Sequence, residues 1–397
     1  LENITQYERV DASWAPNEKV ALEVGIGASI GGARTLVTMK HVGVNVAADP
    51  LFTFSYTGVR GGMVLVVADD PEMHSSQDEQ DSRHYARFAK VPMFEPADSQ
   101  EALDFTRLAF EISENFDTPI MVRSTTRISH SKSIVETGEP LVDLPETSLV
   151  RNPSKFVMLP GNARVRHPLV EKRLVDMAEW ACTQSFNRIE KGNGKIGIIT
   201  SGVAYQYARE VFPEADILKL GLVFPLPKQM ILDFSARFET IYVIEELDPF
   251  IEEQVKAMGI KVTGKEKVPV CGELTPGRLR QAFDVNPPGL QQAKEEEVRP
   301  ASAPNLCPGC PHRGVFHALN RLKAYVTGDI GCYTLGFMPP LSAMDSCICM
   351  GASIGNATGL SKVLDEKERQ KVVAVIGDSI FLHTGINGLM DMVWNKS

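Results

Sequence analysis

Short apolar runs recur along this chain and alternate with stretches of helical periodicity, and this alternation restricts the fold more than any other feature. An unbroken apolar run too short for a helix is typical of a strand buried on both faces of a parallel sheet. The sequence therefore predicts an α/β protein of several domains with mostly parallel sheets. Strand candidates are residues 35–39, 63–68, 118–123, 195–200, 215–220, 239–246, 324–328 and 372–376.

Breaks in this alternation divide the chain into three α/β blocks. Residues 131–170 contain several prolines and are interpreted as a connector. Residues 284–305 are rich in proline and charge and lack hydrophobic periodicity, so they form the clearest linker. The predicted domains are 1–150, 151–290 and 300–397.

Charge and hydropathy argue against several classes of function. The formal net charge is −9 and the pI is about 5.5, which argues against nucleic acid or an anionic membrane surface as a partner. No apolar run approaches the roughly 18 residues of a membrane span, so we expect no membrane contact and a cytoplasmic location. Seven cysteines in a large acidic chain indicate metal binding or catalysis more than disulfides.

Asp378 lies where the last apolar run ends, in the segment VVAVIGDSIFLHTGINGL. We predict that residues 372–376 form a fully buried parallel strand that breaks at Gly377. Ligands bind beyond the carboxyl ends of such strands. A carboxylate there, followed by glycines, suits a divalent ion that carries a diphosphate, because hard cations need oxygen ligands. An ordinary strand–Gly–Asp turn is the alternative.

Glu18 opens a helical segment in which glycines interrupt the apolar positions, among them Gly25, Gly27 and Gly31. Each helical glycine costs about 0.5–1 kcal/mol relative to alanine. Close approach of another helix or of a cofactor would explain several together. Glu18 itself is either a catalytic carboxylate or a first-turn acid that the helix dipole favours.

Three cysteines have spacing typical of a metal site. Cys307 and Cys310 form a CxxC pair in CPGCPHRG, and Cys332 ends the strand in GDIGCYTLG. Three thiolates at one end of a sheet can hold zinc or an iron–sulfur cluster, and both want four ligands. Three buried inert thiols are the alternative. Cys347 and Cys349 border an apolar helix, and we expect them to pack elsewhere.

Two further expectations concern arginines and chain continuity. Arg123 and Arg127 follow a predicted strand and either bind a carboxylate ligand or pair with the surplus acids. The helix that ends at Lys323 runs into the strand that begins at Ala324 without a turn, whereas such loops usually need about two to six residues. We therefore expect residues to be missing at that junction.

Five segments resemble one known family: CPGCPHRG, VTGDIGCYTLG, MDSCICMGASIG, GDSIFLHTGINGL and LVTMKHVGVNVAADPLF. They resemble the large (alpha) subunit of indolepyruvate ferredoxin oxidoreductase, within the 2-oxoacid:ferredoxin oxidoreductases, over essentially the whole chain. The resemblance implies a thiamine-diphosphate-binding fold. Residues 1–150 would bind the pyrimidine, 151–290 would be transketolase C-terminal-like, and 300–397 would bind diphosphate and metal. It also implies that the first domain lacks its start and the last its end.

The resemblance assigns the thiamine diphosphate contacts to particular residues. Glu18 matches the glutamate that hydrogen-bonds the aminopyrimidine ring and promotes loss of the thiazolium C2 proton. Gly377, Asp378 and Ser379 match the start of the diphosphate motif, with Asp378 as the first magnesium ligand. The second magnesium ligand would lie beyond Ser397. We expect Glu18 and Asp378 to face each other across a cleft, within one chain or across a dimer.

The resemblance also assigns three cysteines to a cluster, and it shows a departure from the family at the position that holds the substrate carboxylate. Cys307, Cys310 and Cys332 match three of the four cysteines that hold a [4Fe–4S] cluster in related pyruvate enzymes, and the fourth would lie outside this sequence. Those enzymes hold the substrate carboxylate with an arginine, where this sequence has Asp69. The departure fits a pocket reshaped for an arylpyruvate.

The reaction implied is oxidative decarboxylation of indolepyruvate or another aryl 2-oxoacid, with coenzyme A as acyl acceptor and ferredoxin as electron acceptor. The implied cofactors are thiamine diphosphate, Mg²⁺ and [4Fe–4S], and the implied partner is a smaller beta subunit in a hetero-oligomer. Two alternatives remain. A non-oxidative thiamine-dependent decarboxylase or transferase would leave the cysteines without a redox purpose. A non-catalytic nucleotide-binding or assembly subunit would not bind thiamine diphosphate.

Overall fold

The computed structural model describes residues 4–7, 10–139, 147–285 and 305–397. The chain divides into two units, one of residues 18–290 and one of residues 1–17 with 291–397. Both contain mostly parallel sheets with helical connections, which confirms the α/β class. Most of the predicted linker, residues 284–305, lies outside the described residues.

The larger unit alternates strands and helices. Its strands are β1 (Thr35–Lys40), β2 (Met63–Asp69), β3 (Met93–Phe94), β4 (Ile120–Thr125), β5 (Arg188–Glu190), β6 (Gly197–Ser201), β7 (Asp216–Leu220), β8 (Leu222–Phe224) and β9 (Ile241–Ile244). Its helices are α1 (Glu18–Ile30), α2 (His41–Thr57), α3 (Arg83–Ala89), α4 (Ser99–Phe116), α5 (Thr126–His130), α6 (Pro153–Phe156), α7 (Pro160–Ala181), α8 (Gly202–Val211), α9 (Lys228–Ser235), α10 (Phe250–Ala257) and α11 (Pro276–Phe283).

Two sheets form the core of this unit. The first has the order β1-β2-β4-β3-β8 and is parallel except where β8 joins β3. The second has the order β5-β7-β6-β9 and is parallel except at β5. Strands β6 and β7 are buried along their whole length, as apolar runs under helices on both faces should be. The carboxyl ends of β2, β4, β6 and β9 carry the polar side chains described below.

The segment 131–170 is only partly the connector that its prolines indicate. Helix α7 begins at Pro160 and continues through Pro168 to Ala181. Proline is tolerated at the first helical position, because its missing N–H would be unpaired there anyway. The apolar positions Val170 and Met177 bury one face of α7 and outweigh the hydrogen bond lost at Pro168.

The smaller unit contains a three-stranded parallel sheet of order β11-β10-β12. Its elements are α12 (Pro311–Leu322), β10 (Tyr325–Gly328), β11 (Ser346–Cys347), α13 (Ala352–Val363), α14 (Glu366–Arg369), β12 (Val372–Ala374), α15 (Asp378–Ile380) and α16 (Ile386–Trp394). A 3₁₀ turn spans Cys332–Phe337, and a π-helical turn, Phe381–Gly385, joins α15 to α16. The prediction of a fully buried strand at 372–376 is wrong: β12 is shorter and only half-buried, because it is an edge strand.

The junction after α12 corrects the expectation of missing residues between Lys323 and Ala324. Lys323 adopts the left-handed conformation, with φ 53° and ψ 39°. The Ala324 N–H then donates to the Leu319 carbonyl at 3.1 Å, and the Lys323 N–H donates to the Asn320 carbonyl at 3.0 Å. Such a left-handed helix end reverses the chain within one residue. Strand β10 therefore follows without a longer loop.

Candidate functional site

The turn Gly377–Ser379 lies beyond the carboxyl end of β12, in the smaller unit. Asp378 is exposed at the first position of α15, and one of its oxygens accepts the Ser379 N–H at 2.8 Å. An exposed carboxylate at a strand end is a suitable first ligand for a magnesium ion. Asn395 is too close to Asp378 in sequence to be the second ligand, and its side chain donates to the Asp391 side chain at 2.9 Å.

Tyr333 packs against this turn and accepts a hydrogen bond from it. The Gly377 N–H donates to the Tyr333 hydroxyl at 3.0 Å. A Cβ at position 377 would lie 2.9 Å from Cε1 of the Tyr333 ring, so the close approach requires glycine. Tyr333 is 5% exposed, and burial raises its pKa to about 12. The hydroxyl therefore stays neutral, and it holds the backbone from which Asp378 projects.

A second pair of segments packs beside the same turn. The Thr384 hydroxyl donates to the Met350 carbonyl at 2.7 Å. A Cβ at Gly351 would collide with Thr384, and Gly351 also has a positive φ of 88°. The glycines of MGASIG and HTGINGL thus allow α13 and α16 to approach closely. Nearby, the Asn17 side chain donates to the His383 carbonyl at 2.8 Å.

The three candidate cysteine ligands lie at the beginning of α12 and in the 3₁₀ turn after β10. Cys307 and Cys332 are exposed, Cys310 is half-buried, and all three are free thiols. The Cys310 Sγ lies 3.3 Å from Nδ1 of His312. Accessible free thiols do not fit three buried, inert cysteines. Their role as cluster ligands stays a prediction.

Cys347 corrects the expectation that it lies away from this region. Strand β11 pairs directly with β10, and this pairing places Cys347 opposite Gly328. The side chain of Thr334, two residues along the chain from Cys332, acts to lower the pKa of the Cys347 thiol. Burial raises the pKa of Cys347 and of Cys349, and the nearby carboxylate of Asp329 adds to both shifts.

The geometry does not support a zinc site at these thiols. Zinc–sulfur bonds of about 2.3 Å place ligand sulfurs roughly 4 Å apart. Among the described residues, the groups of three ligand atoms within 4.8 Å of one another contain no cysteine. They are Glu72, His74 and Glu273, and Asp81, His84 and Asp248. Each group includes an acid that an arginine already neutralises, Glu273 by Arg127 and Asp81 by Arg83.

Glu18 begins α1 in the larger unit and is half-buried. A Cβ on Gly43 of α2 would lie 2.5 Å from Cγ and 3.0 Å from Oε1 of Glu18. The absence of a side chain at position 43 therefore makes room for the glutamate. Gly25 is explained differently, because it packs tightly on Val37 and Met63 of the sheet, whereas Gly27 has open space around it.

Asp69, at the carboxyl end of β2, is buried in an ion pair, although its Oδ1 has no hydrogen-bond partner among the described residues. Its Oδ2 accepts Nε of Arg123 at 2.6 Å and the Ser82 N–H at 3.0 Å. Both Asp69 and Arg123 are buried, and burial raises the pKa of Asp69. Arg123 thus pairs with acids, which is one of the two alternatives that the sequence left open. Its guanidinium neutralises Asp69 and Glu95.

This ion pair belongs to a network that connects the two sheets of the larger unit. Glu95 accepts the Ser201 hydroxyl at the end of β6, at 2.6 Å. Arg83 donates to Glu245 at the end of β9, also at 2.6 Å. The buried members are the acids Asp69, Asp81, Glu95, Glu245 and Glu246 and the bases Arg83 and Arg123. Acids outnumber arginines, and burial raises the pKa of Glu246 to about 7.

Arg127 is also committed to an internal acid. It makes a bidentate pair with Glu273, with Nε to Oε1 at 2.7 Å. Glu273 is almost fully buried, and the Glu273 N–H donates to Glu72 at 3.0 Å. Arg123 and Arg127 therefore both pair with acids, although Nη2 of Arg123 has no hydrogen-bond partner in the described part of the chain and the Arg127 side chain is half-exposed. The second expectation for these arginines, pairing with the surplus acids, is the one observed.

The sequence interpretation missed two residues, Tyr333 and Gly43. Both lie inside segments that were singled out for other reasons, GDIGCYTLG and MKHVGVNV. Their partners, Gly377 and Glu18, are far away in sequence, and nothing in a single sequence pairs them. A glycine at the third position of a helix was the one available signal for Gly43.

Comparison with known proteins now gives the family. Residues 3–177 match the family model described as "Pyruvate flavodoxin/ferredoxin oxidoreductase, thiamine diP-bdg", and residues 329–397 match "Thiamine pyrophosphate enzyme, C-terminal TPP binding domain". The indolepyruvate oxidoreductase subunit IorA of Methanothermobacter thermautotrophicus is 39% identical, and the match covers the whole of this chain and 68% of that protein. The chain belongs to the IorA family.

Another IorA relative, from Archaeoglobus fulgidus, is 42% identical over 97% of this chain, and the chain spans 65% of that protein's length. A solved 2-oxoglutarate:ferredoxin oxidoreductase from Magnetococcus marinus has a similar fold, with a TM-score of 0.52 and 13% identity. That match covers 69% of this chain and 57% of the other. These similarities establish thiamine-diphosphate-type α/β domains. Among the described helices, none has the length and apolar character to cross a membrane.

Proposed function

We propose that this chain is the thiamine-diphosphate-binding part of an enzyme that oxidatively decarboxylates indolepyruvate or another aryl 2-oxoacid. Coenzyme A would accept the acyl group and ferredoxin the electrons. The observation that carries the proposal is the 39–42% identity to IorA subunits over nearly the whole chain. Because the chain spans about two-thirds of those relatives, the activity is proposed for the complete enzyme.

As the resemblance implies, Glu18 and Asp378 would each contact one end of a thiamine diphosphate, within one chain or across a dimer. When bound, thiamine diphosphate supplies a carbon nucleophile and an electron sink for decarboxylation. Asp378 would ligate Mg²⁺ at the diphosphate, with Gly377 and Ser379 supplying close backbone contact. Glu18 would accept a hydrogen bond from the pyrimidine ring and favour the tautomer from which the C2 proton is lost. Its contact with Gly43 limits the positions that the carboxylate can take.

Cys307, Cys310 and Cys332 would be three of the four ligands of a [4Fe–4S] cluster. Free thiols at the beginning of a helix and after a neighbouring strand have the donor chemistry that iron–sulfur clusters require. Oxidation of the decarboxylated substrate to an acyl group would release two electrons, and a cluster would pass them to ferredoxin one at a time. A non-oxidative decarboxylase would have no redox use for these thiols.

The substrate carboxylate would be held without an arginine at position 69. Asp69 is buried in an ion pair with Arg123, so its carboxylate would take no part in holding substrate. An aryl 2-oxoacid would offer a large apolar side chain for recognition instead. The remaining partners would be a smaller beta subunit and ferredoxin in a cytoplasmic hetero-oligomer.

The test is analysis of the intact two-subunit enzyme, purified without oxygen. Iron, acid-labile sulfide and thiamine diphosphate should all be present. Ferredoxin reduction should require both indolepyruvate and coenzyme A. Decarboxylation without iron or coenzyme A would indicate the non-oxidative class, and an enzyme that binds no thiamine diphosphate would indicate an assembly subunit.

A further inference from the structure

Tyr333 contacts the two candidate cofactor sites of the smaller unit. On one side, its hydroxyl accepts the Gly377 N–H at 3.0 Å, next to Asp378. On the other side, its ring centroid lies 5.6 Å from that of His312. Nδ1 of His312 lies 3.3 Å from the Cys310 Sγ. A short chain of contacts therefore joins the diphosphate turn to the CxxC thiols.

The backbone strengthens this connection, because Tyr333 directly follows Cys332 in the same 3₁₀ turn. Any movement of Cys332 would move the Tyr333 ring. Position 331 must be glycine, since a Cβ there would lie 2.5 Å from the ring. Phe316 and Val326 belong to the same small core as Tyr333. The ring is therefore held in place by packing, and its hydroxyl is its contact with the Gly377 turn.

We propose that Tyr333 is a positioning residue that couples the two cofactor sites: it sets the diphosphate turn relative to the cysteine-bearing segment. The proposal rests on the proposed function, because it needs both cofactors. Coupling of this kind is reciprocal, so cluster occupancy should change the affinity for thiamine diphosphate, and the reverse. Without the Tyr333 hydroxyl, the Gly377 N–H loses its acceptor. The affinity for thiamine diphosphate should then no longer depend on cluster occupancy.

The first measurement needs no cofactor. Tyr333→Phe keeps the ring and its packing but leaves the Gly377 N–H without its acceptor. In cofactor-free intact enzyme, amide hydrogen exchange of the Gly377–Ser379 peptide should speed up by about tenfold. Tyr325→Phe, which removes the hydroxyl of an exposed tyrosine in β10, should leave the exchange rate unchanged. Equal exchange in the wild type and Tyr333→Phe would overturn the proposal.

The second measurement is the dissociation constant of magnesium thiamine diphosphate, with and without the iron–sulfur cluster. Wild type should bind more weakly once iron is removed. Tyr333→Phe should bind about tenfold more weakly than wild type, with little further response to iron removal. His312→Leu interrupts the other half of the contact chain. It should abolish the response to iron while leaving exchange at Gly377 as in wild type.

The outcomes separate the two proposals. If wild type binds thiamine diphosphate and iron, and Tyr333→Phe behaves like wild type in affinity and exchange, only the coupling proposal fails. If wild-type intact enzyme binds neither, the proposed function fails and the coupling proposal falls with it. If the wild-type affinity for magnesium thiamine diphosphate does not change when iron is removed, only the coupling proposal is overturned.

Discussion

Position 43 determines where the Glu18 side chain lies. Gly43→Ala would place a methyl group 2.5 Å from Cγ of Glu18, so the glutamate must move or α2 must shift. We expect a loss of about 1–3 kcal/mol in the free energy of unfolding and a lower kcat. Gly27→Ala is the matched control, because nothing lies within 4 Å of its Cβ position. It should stabilise α1 by about 0.5–1 kcal/mol. Denaturant unfolding and steady-state kinetics check both, and equal effects would contradict the prediction.

Glu18 itself is expected to act in catalysis and contribute little to the fold. Glu18→Gln should lower kcat of the intact enzyme by at least about a hundredfold, because an amide cannot stabilise the protonated ring nitrogen as a carboxylate does. The melting temperature should stay close to that of wild type. Glu23→Gln removes an exposed acid of the same helix that pairs with Lys19, and it should leave kcat unchanged. Turnover by Glu18→Gln above a tenth of wild type would remove Glu18 from the mechanism.

At the scale of elements, the end of α12 shows how a helix passes directly into a strand. Lys323 holds φ at 53°, where a residue with a Cβ pays about 1 kcal/mol. Lys323→Gly should therefore raise the free energy of unfolding of this unit by about 0.5–1 kcal/mol. Leu322→Gly, one residue earlier and within the helix, should lower it by a similar amount. Calorimetry of both variants checks the sign, and destabilisation by Lys323→Gly would mean that the chain does not turn here.

At the scale of the whole larger unit, the buried ion network makes stability depend on pH. Burial raises the pKa of Glu246 from its ordinary 4.5 to about 7. The charge of Arg123 opposes that shift, whereas Glu95 and Glu273 add to it. The folded state then holds a proton that the unfolded chain releases near pH 4.5. The stabilisation is complete below pH 4.5 and is lost as the pH rises through 7.

The melting temperature should accordingly fall between pH 5 and pH 8. Glu246→Gln should reduce this fall, because the amide stays neutral and its oxygen can still accept the Leu274 N–H. The difference at pH 8 should be on the order of 3 kcal/mol in favour of the variant. Burial also raises the pKa values of Asp69 and Glu245, so the melting temperature of the variant should still fall somewhat with pH. Glu239→Gln, at an exposed position, should follow wild type, and a Glu246→Gln profile identical to wild type would contradict the prediction.

The sequence determined the α/β class and most long strands. Buried parallel strands have an unbroken apolar pattern, which is visible within a few consecutive residues. Strands β3, β5, β8 and β11 escaped detection, since a strand of two or three residues leaves no periodicity. The exposed Asp378 at a strand end was predictable for the same local reason. The half-burial of β12 was not, since edge position depends on which strands pair.

What only the tertiary structure decided is which distant residues meet. The sequence allowed Arg123 to bind substrate or to pair with acids. In the structure, Arg123 lies between Asp69 and Glu95 and pairs with both. The pairs Glu18 with Gly43 and Tyr333 with Gly377 depend on how helices and strands pack. The physical reason is that local patterns encode the burial of each element, whereas pairing of polar groups is set by long-range packing.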